Sequence, residues 1–422
     1  MNHSHALNSA PSANMPAAAR TAIRLLERLR QGSLNVHFPD GHRHRFGGAA
    51  SVSSPEATLV MHNWNVCSAA LKSGDIGFAE SFIAGDWSTP NLTELLKLFV
   101  VNRREIDDII HGSWAGRLFY RIKHLLNHNS KSNSQKNIHA HYDLGNAFYR
   151  LWLDDTMNYS SAWFQGDFEK PLHVAQAAKV ARALRQVGAK PGDKILEIGC
   201  GWGALAHMAR DDFGANVVGV TLSSEQLAYA QSRLAKGPRP KFDGSAVDGT
   251  RGAVAELRLQ DYRDISDAPF DAICSIEMVE AVGQTYWPQY FATVARLLKP
   301  GARACLQSIV IDEALFDRYV KSTDFIQQYI FPGGCLPSPS EFRRQAEMAG
   351  LCVVDELGFG ADYAETLRRW RQAFSANLQA VAALGFDQRF IRIWEFYLCY
   401  CEAAFDGGDI DVIQFTLQKP PA

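Results

Sequence analysis

Hydrophobic and polar positions follow two different periods along this chain. In residues 34–38 apolar Leu, Val and Phe alternate with polar side chains, and a Pro-Asp-Gly turn and residues 42–46 follow, so this region predicts a β-hairpin. Residues 92–101 form an apolar run of helical length with charged residues behind it. We therefore expect residues 21–125 to form a small mixed α+β domain.

Strands and helices alternate from residue 139 onward. Apolar runs bounded by turn signals predict strands at 194–198, 216–220, 254–259, 270–276 and 302–311, and helical periods predict helices at 204–212, 224–235 and 288–298. Such alternation is typical of an α/β fold with a mostly parallel sheet covered by helices on both faces. Residues 312–422 are rich in aromatic side chains and are predicted to be mostly helical.

The chain between and around these regions is polar. The run at 127–135 predicts a linker at 126–138, which leaves 139–422 as the main domain. Residues 1–20 have no basic start followed by an apolar segment, so they do not form a secretory signal and are expected to be a disordered tail. The basic residues near the linker are Arg117, Arg121, Lys123, Lys131 and Lys136. They either meet anionic lipid headgroups or belong to a solvated linker.

Composition narrows the functional classes. The chain has 422 residues with 43 Lys and Arg against 45 Asp and Glu, and this net charge of −2 does not suit nucleic-acid binding by bulk charge. No run of about 18 apolar residues predicts a membrane-spanning helix. The eight cysteines are scattered without a CxxC pair, which indicates a reducing, cytoplasmic setting and predicts no metal site.

A glycine-rich segment after the strand at 194–198 carries the strongest chemical signal. Glu197 is followed by Gly199, Gly201 and Gly203, and a predicted helix starts directly afterwards. Glycines there let the backbone turn sharply and approach a ligand closely, while the helix start offers unpaired N–H groups. The spacing ExGxGxG resembles the first motif of class I S-adenosylmethionine-dependent methyltransferases, in which the loop holds the amino-acid end. The alternative is a tight strand–helix turn without a ligand.

Polar residues follow the next two strands. Thr221 stands where dinucleotide enzymes usually place the acid that grips ribose. Gln226 either completes a capping box with Ser223 or hydrogen-bonds the ribose of a cofactor. Gln260 and Asp261 follow the third strand, where the adenine is expected to lie, although an ordinary polar strand end has the same composition. These positions extend the candidate cofactor site along the sheet edge.

Several longer motifs are similar to those of the cyclopropane-fatty-acyl-phospholipid synthase family. They are HYDLGN at 141–146, NYSSAWF at 158–164, EIGCGWG at 197–203, GVTLS at 219–223, LQDYRD at 259–264, SIEMVEAVG at 275–283, YIFPGG at 329–334 and FGADY at 359–363. The resemblance covers about two-thirds of the chain. It implies a class I S-adenosylmethionine-dependent methyltransferase, Rossmann-like, behind an N-terminal domain that docks to lipid and forms dimers.

The resemblance also implies an activity and its site. The family transfers a methyl group from S-adenosylmethionine to the cis double bond of an acyl chain esterified in a phospholipid, and then removes a proton to close a three-membered ring. The implied cofactor contacts are Tyr159, Ser160, Glu197, Gly199, Gly201, Gly203, Thr221, Gln226, Gln260 and Asp261. A bound bicarbonate is implied as well, held by the side chains of Glu280 and Tyr363 and by the backbone of Ser161 and Ile309. We accordingly expect a cytoplasmic homodimer, peripheral at the inner face of the membrane, with no nucleic-acid partner.

The chemistry explains why such residues are needed. An alkene is a poor nucleophile, so the methyl donor must be close and aligned, and attack leaves a carbocation that aromatic faces stabilise. The aromatic candidates, each of which also suits an apolar core, are Tyr159, Trp163, Trp202, Tyr329 and Phe331. Glu280 beside an anion is expected to share one proton with it, which raises an apparent pKa. Glu277 is the local rival for this role, and we favour Glu280.

Three positions depart from the family pattern. Ser161 and Gln307 replace the Cys and His of well-known synthases, and Ala281 follows Glu280 where others carry His. Gln307 still donates a hydrogen bond, but a neutral amide does not titrate as imidazole does. A cation that is not deprotonated at its new methyl group shifts hydride instead, so the expected product is either a ring or a methyl- or methylene-branched chain. Cys401 aligns with a late cysteine of the family, although its apolar neighbours predict a packed helix.

Two further classes stay open at this point. A small-molecule methyltransferase shares much of the catalytic core, and a protein that binds lipid or cofactor without turnover would tolerate the changes at Ser161 and Gln307. The additional N-terminal domain and the YIFPGG segment favour a lipid substrate.

Overall fold

The computed structural model describes residues 15–48, 54–106, 144–236 and 252–422. The predicted linker at 126–138 and the basic residues between 117 and 136 lie outside the described residues. The first part of the predicted tail lies outside them too, but a helix begins at Ala17, so residues 17–20 are helical rather than disordered.

The described residues divide into two compact units. The smaller unit contains the described residues up to position 106 together with Lys321–Ile330 and Gly385–Asp409. The larger unit contains the remaining described residues from position 144 onward. The units therefore differ from a simple division at the linker, because two segments from the C-terminal third belong with the N-terminal part.

A four-stranded mixed sheet and helices make up the smaller unit. Its strands are β1 (Ser33–His37), β2 (Arg43–Gly47), β3 (Glu56–Met61) and β4 (Trp87–Ser88), in the order β2-β1-β3-β4. Its helices are α1 (Ala17–Leu26), α2 (Asn65–Ala84), α3 (Leu92–Val101), α11 (Phe325–Tyr329) and α15 (Gln388–Gly407). The antiparallel pair β1–β2 is the predicted hairpin, and β3 lies parallel to β1 on its other side.

Contacts of α15 explain why a C-terminal helix belongs to this unit. The hydroxyl of Thr93 on α3 donates a hydrogen bond to Glu402 over 3.2 Å. Phe396 packs against Phe82 of α2 with ring centroids 5.8 Å apart. A small domain buries only a limited share of its surface. The aromatic face of α15 therefore adds buried apolar area to this unit beyond what the short strands provide.

A seven-stranded sheet forms the centre of the larger unit. Its strands are β5 (Lys194–Ile198), β6 (Asn216–Thr221), β7 (Ala255–Leu259), β8 (Phe270–Ile276), β9 (Leu298–Ile311), β10 (Cys352–Gly358) and β11 (Ile410–Gln418), in the order β10-β11-β9-β8-β5-β6-β7. Its helices are α4 (Asn146–Tyr149), α5 (Leu172–Gln186), α6 (Ala204–Asp211), α7 (Ser224–Ala235), α8 (Val279–Val282), α9 (Trp287–Leu297), α10 (Glu313–Tyr319), α12 (Pro339–Met348), α13 (Gly360–Ala376) and α14 (Leu378–Ala383).

Five of these strands confirm the predicted alternation. Strands β5 to β9 are parallel neighbours in the sheet. Residues 312–422 are mostly helical, as predicted, but they also contain β10 and β11, which were not predicted. The residues of β11 from Val412 to Leu417 are buried in succession, so no alternation marks them as a strand. Strand β11 runs antiparallel to both β9 and β10.

The core lies on both faces of this sheet. Neighbouring residues of β5 point to opposite sides: Leu196 packs with Tyr290 of α9, and Ile195 packs with Leu205 of α6. All four side chains are buried. Because β5 is covered on both faces, its carboxyl end has a fixed position, and the glycine-rich loop starts from there.

Candidate active site

The loop between β5 and α6 leaves open space at its centre. Gly199, Gly201 and Gly203 have φ angles of 83°, 48° and 79°, values that favour glycine. A Cβ at Gly199 would lie 2.4 Å from Cγ of Met278, and one at Gly203 would lie 2.9 Å from Cβ of Ala230. A Cβ at Gly201 would meet nothing within 4 Å. The outer glycines therefore allow close packing, and the middle one faces space that a ligand can enter.

Glu197 contributes a buried carboxyl group at the base of this loop. Its side chain is 4% exposed, and its Oε2 atom has no hydrogen-bond partner among the described residues. Burial raises the pKa of Glu197 to about 8, against the opposing influence of the Ala206 N–H and of Lys179. An unpartnered buried oxygen is costly in a folded protein, and a ligand with hydrogen-bond donors satisfies it.

The structure separates the two roles considered for Gln226. The backbone N–H of Gln226 donates to Ser223 Oγ over 3.2 Å, so Ser223 caps α7. The Gln226 side chain does not complete a capping box, because its oxygen accepts from the Thr221 hydroxyl at 2.9 Å. The amide nitrogen is then the atom of Gln226 that can donate to ribose.

The residues after β7 are held by local contacts. Both carboxylate oxygens of Asp261 accept from the Arg263 guanidinium, at 2.8 Å and 2.6 Å. The amide of Gln260 donates to the backbone carbonyl of Asp264 over 3.0 Å. Gln260 and Asp261 line the same cleft as the glycine loop, as the prediction requires.

Tyr159 lies within a group of rings that we call the aromatic cluster. Its members are Tyr149, Trp152, Tyr159, Trp202, Phe331 and Trp370. The Tyr159 ring centroid lies 5.3 Å from that of Trp152 and 5.5 Å from that of Trp370. The cluster thus contains three of the five aromatic candidates.

The other two aromatic candidates lie elsewhere. The Trp163 ring faces the Arg182 guanidinium, whose central carbon is 5.9 Å from the ring centroid. Tyr329 belongs to the smaller unit and donates its hydroxyl hydrogen bond to Glu80 over 2.6 Å. Contact with an arginine and a carboxylate suits structural roles for these two rings.

The glycine loop, the polar residues after β6 and β7, and the rings of Tyr159 and Trp202 line one cleft that fits S-adenosylmethionine. The cleft has about 1140 Å³ of empty space including its mouth, and Tyr159, Ser160, Glu197, Thr221 and Gln226 are among its walls. The fit rests on the open space at the glycine loop and on the unpartnered buried carboxyl oxygen. Aromatic faces beside such a cleft suit a sulfonium cation.

A second group of contacts centres on Glu277, just after β8. Glu277 Oε1 accepts from the backbone N–H of Ser161 at 2.9 Å and from Gln307 Nε2 at 2.7 Å. Its Oε2 accepts from the Tyr363 hydroxyl at 2.7 Å. The family resemblance implied that Ser161 and Tyr363 hold bicarbonate, and Glu280 was favoured over Glu277 for the same role. The structure brings Ser161, Gln307 and Tyr363 together around Glu277, whereas the Ile309 N–H donates to Glu280.

The backbone of Glu277 is strained. Its φ angle is 53°, in the left-handed region that non-glycine residues rarely adopt. Such a residue costs about 1–3 kcal/mol and is found where the surroundings fix it, often at functional sites. Here the Glu277 N–H donates to the Gln307 carbonyl over 2.8 Å, which anchors the residue to β9.

Strand β11 fixes the orientation of the Gln307 amide. Gln307 and Gln414 are direct partners across β9 and β11, and Gln414 Nε2 donates to Gln307 Oε1 over 2.9 Å. Arg182 donates to Gln414 Oε1 over 2.8 Å and pairs with Asp355 at 2.5 Å. Because its oxygen is used, the Gln307 side chain presents its NH2 group to Glu277. Arg182 and Gln414 were not predicted as part of the site, since β11 was not predicted.

Glu280 has a different environment three residues later. Its Oε1 accepts from the Ile309 N–H, and its Oε2 has no partner among the described residues. Burial first, and the charge of Glu277 second, raise the pKa of Glu280 to about 8. Two neighbouring carboxyl groups of this kind separate into one ionised and one protonated member. The charge that raises the pKa of Glu280 thus comes from Glu277, a neighbouring side chain.

Lys179 supplies positive charge to this region and was not predicted. Its side chain is fully buried, and Nζ donates to Ser160 Oγ over 2.5 Å. Burial lowers the pKa of Lys179 to about 8, while the charges of Glu277, Asp154 and Glu197 oppose that shift. The position of Lys179 among the buried alanines of α5 is the signal that identifies it, because lysine is rarely placed in a core without partners.

Bicarbonate does not fit these contacts. The Ser161 N–H and the Tyr363 hydroxyl already donate to Glu277, and the Ile309 N–H already donates to Glu280. An added anion would displace these hydrogen bonds and place a further negative charge beside two carboxyl groups.

Cys401 lies on α15 in the smaller unit. Burial raises the pKa of its thiol, with the charge of Asp324 as a further cause. A thiol in this state is a poor nucleophile, which agrees with the packed-helix interpretation of its apolar neighbours.

Replacement of Glu280 with glutamine is expected to stabilise the fold at alkaline pH. The raised pKa of Glu280 contributes stability below about pH 4.5, and that contribution is lost as the pH rises through about 8. Glutamine resembles the protonated carboxyl, so the free energy of unfolding of Glu280→Gln should be about 1–3 kcal/mol higher than that of the wild type at pH 9. One unit of pKa shift corresponds to about 1.4 kcal/mol, and partial solvation of the carboxylate reduces the effect. Urea unfolding at pH 5 and pH 9 tests this. Equal differences at both pH values would contradict it.

Comparison with known proteins agrees with the fold and the cleft. A family model described as mycolic acid cyclopropane synthetase matches residues 129–415. The chain is 36% identical over 418 residues to tuberculostearic acid methyltransferase UfaA1 of Mycobacterium tuberculosis, covering 96% of this chain and 93% of that one. It is 33% identical over 396 residues to cyclopropane-fatty-acyl-phospholipid synthase of Escherichia coli, covering 91% and 95%.

A solved structure of a related enzyme also matches this chain. The mycolic acid cyclopropane synthase CmaA1, solved with S-adenosylhomocysteine and CTAB, is 34% identical and superposes with a TM-score of 0.60 over 68% of this chain and 98% of that one. The sheet, the glycine loop and the cleft thus define a class I S-adenosylmethionine-dependent methyltransferase. Within that class, this chain belongs to the mycolic acid cyclopropane synthetase family.

Proposed function

We propose that the protein transfers a methyl group from S-adenosylmethionine to the cis double bond of an unsaturated acyl chain in a phospholipid and closes a cyclopropane ring by proton loss. The observation that carries this proposal is that Tyr159 and Trp202 of the aromatic cluster line one cleft together with Glu277 and the glycine loop. The names of the Escherichia coli and Mycobacterium tuberculosis relatives point to fatty acyl substrates.

The roles of the residues follow from this chemistry. S-adenosylmethionine supplies an electrophilic methyl group. The glycine loop, Glu197 and Gln226 hold the cofactor, and the rings of the aromatic cluster stabilise positive charge and exclude water. A weak nucleophile such as an alkene depends on alignment, which these packed rings provide. The carboxylate beside the cleft then accepts a proton from the cation.

A branched product is the second candidate. Gln307 stands where an imidazole is typical of ring-forming enzymes, and one relative is named for tuberculostearic acid. Hydride shift in the cation followed by proton loss gives a methylene branch with the same added mass as a ring. The two candidates share the cofactor site and the first step, so they differ only in product.

Access to an acyl chain requires contact with a membrane surface. No described helix combines the length and apolar character needed to cross a bilayer. We propose peripheral association at the inner face of the membrane in the cytoplasm, as a homodimer.

The proposal predicts transfer of label to lipid. Purified protein incubated with methyl-labelled S-adenosylmethionine and vesicles of an unsaturated phospholipid should add CH2 to the acyl chain, whereas saturated vesicles should stay unlabelled. Mass spectrometry after olefin-specific derivatisation then separates a ring, which does not react, from a methylene branch, which does. Label that enters only small amines, or no product with any unsaturated lipid, would reject the proposal.

A further inference from the structure

A side-chain carboxylate occupies the place that the family resemblance assigns to a bound oxyanion. The Ser161 N–H and the Tyr363 hydroxyl donate to Glu277 at 2.9 Å and 2.7 Å. We propose that Glu277 is the general base of this enzyme and that its carboxylate replaces bicarbonate, so that turnover needs no added anion. This inference rests on the proposed function and names the base within it.

The hydrogen bonds of Glu277 leave one acceptor position open. A carboxylate has about four lone-pair positions. Oε1 accepts two hydrogen bonds, from Ser161 and Gln307, and Oε2 accepts one, from Tyr363. Glu277 is also part of the wall of the cofactor cleft. The remaining position on Oε2 is therefore available to a proton from the substrate.

The step balances without another reactant. Methyl transfer to the alkene leaves the neighbouring carbon positive. A C–H bond of the new methyl group then breaks, its proton bonds to Glu277 Oε2, and its electron pair forms the third ring bond to the cationic carbon. Glu277 becomes a neutral carboxyl and releases the proton before the next turnover. A base for so acidic a cation needs correct position more than strength.

Glu277 suits this role better than Glu280. Glu280 has its Oε1 on the Ile309 N–H, and the raised pKa of about 8 keeps it protonated at neutral pH. A protonated carboxyl cannot accept the proton. Burial raises the pKa of Glu277, but three donors and the nearby charge of Lys179 oppose that shift and favour the ionised form. For Glu280, burial and the charge of Glu277 both raise the pKa.

The surrounding residues hold Glu277 in position. Gln414 fixes the Gln307 amide so that its NH2 group faces Glu277. The left-handed backbone at Glu277, with φ of 53°, aims the side chain back toward Ser161 and Tyr363. Ser161, Gln307 and Tyr363 thus act as positioning residues, and a neutral amide at 307 suffices because it only donates.

Turnover of the wild-type protein with and without bicarbonate is the first arm of the test. In buffer freed of carbon dioxide, wild-type turnover should equal that with added bicarbonate. Glu277→Gln should lose about 10²- to 10⁴-fold in turnover, the usual contribution of a general base, while its affinity for S-adenosylmethionine stays within about threefold. Glu347→Gln, an exposed change on α12, is the matched control and should behave as wild type.

Glu277→Gly provides the second arm, because glycine accepts the left-handed backbone of residue 277 and leaves the space of the carboxylate empty. Its turnover should fall as well, but bicarbonate or formate should restore part of it, since Ser161, Gln307 and Tyr363 keep their donors. The Gln variant should not be rescued, because its amide fills the space. Line broadening of ¹³C-bicarbonate should likewise occur only with Glu277→Gly.

Each result bears on one proposal. A wild-type enzyme that loses turnover without bicarbonate, a Glu277→Gln variant that keeps turnover, or bicarbonate binding to the wild type would overturn the role of Glu277. Absence of methyl transfer by the wild type to any unsaturated lipid would overturn the proposed function instead. The bicarbonate-binding measurement requires no lipid and distinguishes the two failures.

Discussion

Replacement of Lys179 with methionine is expected to lower turnover at neutral pH by roughly 10- to 100-fold, part of what general-base catalysis contributes. Lys179 is buried and brings positive charge close to Glu277 and Glu197. Without that charge the ionised form of Glu277 is less favoured, so its pKa rises further. The acid limb of the pH–rate profile should therefore move to higher pH, and turnover should recover partly in alkaline buffer.

The pH profile separates this explanation from a structural one. The groups that face Glu277 are Lys179 from α5, Glu280 from α8 and Tyr363 from α13. Loss of Lys179 changes the charge at this point, whereas a packing defect would reduce turnover equally at every pH. Lys194→Met is the control, because Lys194 is 44% exposed and pairs with Asp267. An unshifted acid limb in Lys179→Met would contradict the prediction.

The sequence was sufficient for the cofactor half of the site. The turn at Gly201 is determined by a local pattern. That pattern consists of the spacing of the glycines, the strand before them and the helix after them. The carboxyl ends of adjacent parallel strands must meet at one edge, so the sequence alone places Thr221 and Gln260 at the same cleft.

The choice between the two carboxyl groups could not be made from sequence. Glu277 and Glu280 lie within four residues of each other, and either can face the cleft. What separates them is the positive φ at Glu277 and the place of β11, which puts Gln414 behind Gln307. The first depends on contacts with residues 30 to 116 positions away, and the second on a contact between residues 107 positions apart. A strand that is buried along its length shows no alternation of apolar and polar residues, so neither feature can be predicted from the sequence pattern.

Replacement of Glu197 with glutamine is expected to weaken binding of S-adenosylmethionine by about 10- to 100-fold, because a hydrogen bond to a charged group contributes roughly 1.5–3 kcal/mol. In the proposed complex the buried, unpartnered oxygen of Glu197 accepts from the cationic cofactor. Calorimetric titration of the cofactor into both proteins measures this loss. Glu347→Gln, on the exposed side of α12, should leave the affinity unchanged.

The pH dependence of that binding gives a sharper test. Burial raises the pKa of Glu197 to about 8 in the free protein, so the carboxyl is mostly protonated at pH 6. Lys179 and the Ala206 N–H face it and favour the ionised form. A cationic ligand that needs the ionised form must expel a proton, so wild-type affinity should rise between pH 6 and pH 8. Glu197→Gln has no proton to release, and its affinity should be nearly flat over that range. A wild-type affinity that does not change with pH would show that Glu197 does not contact the cofactor.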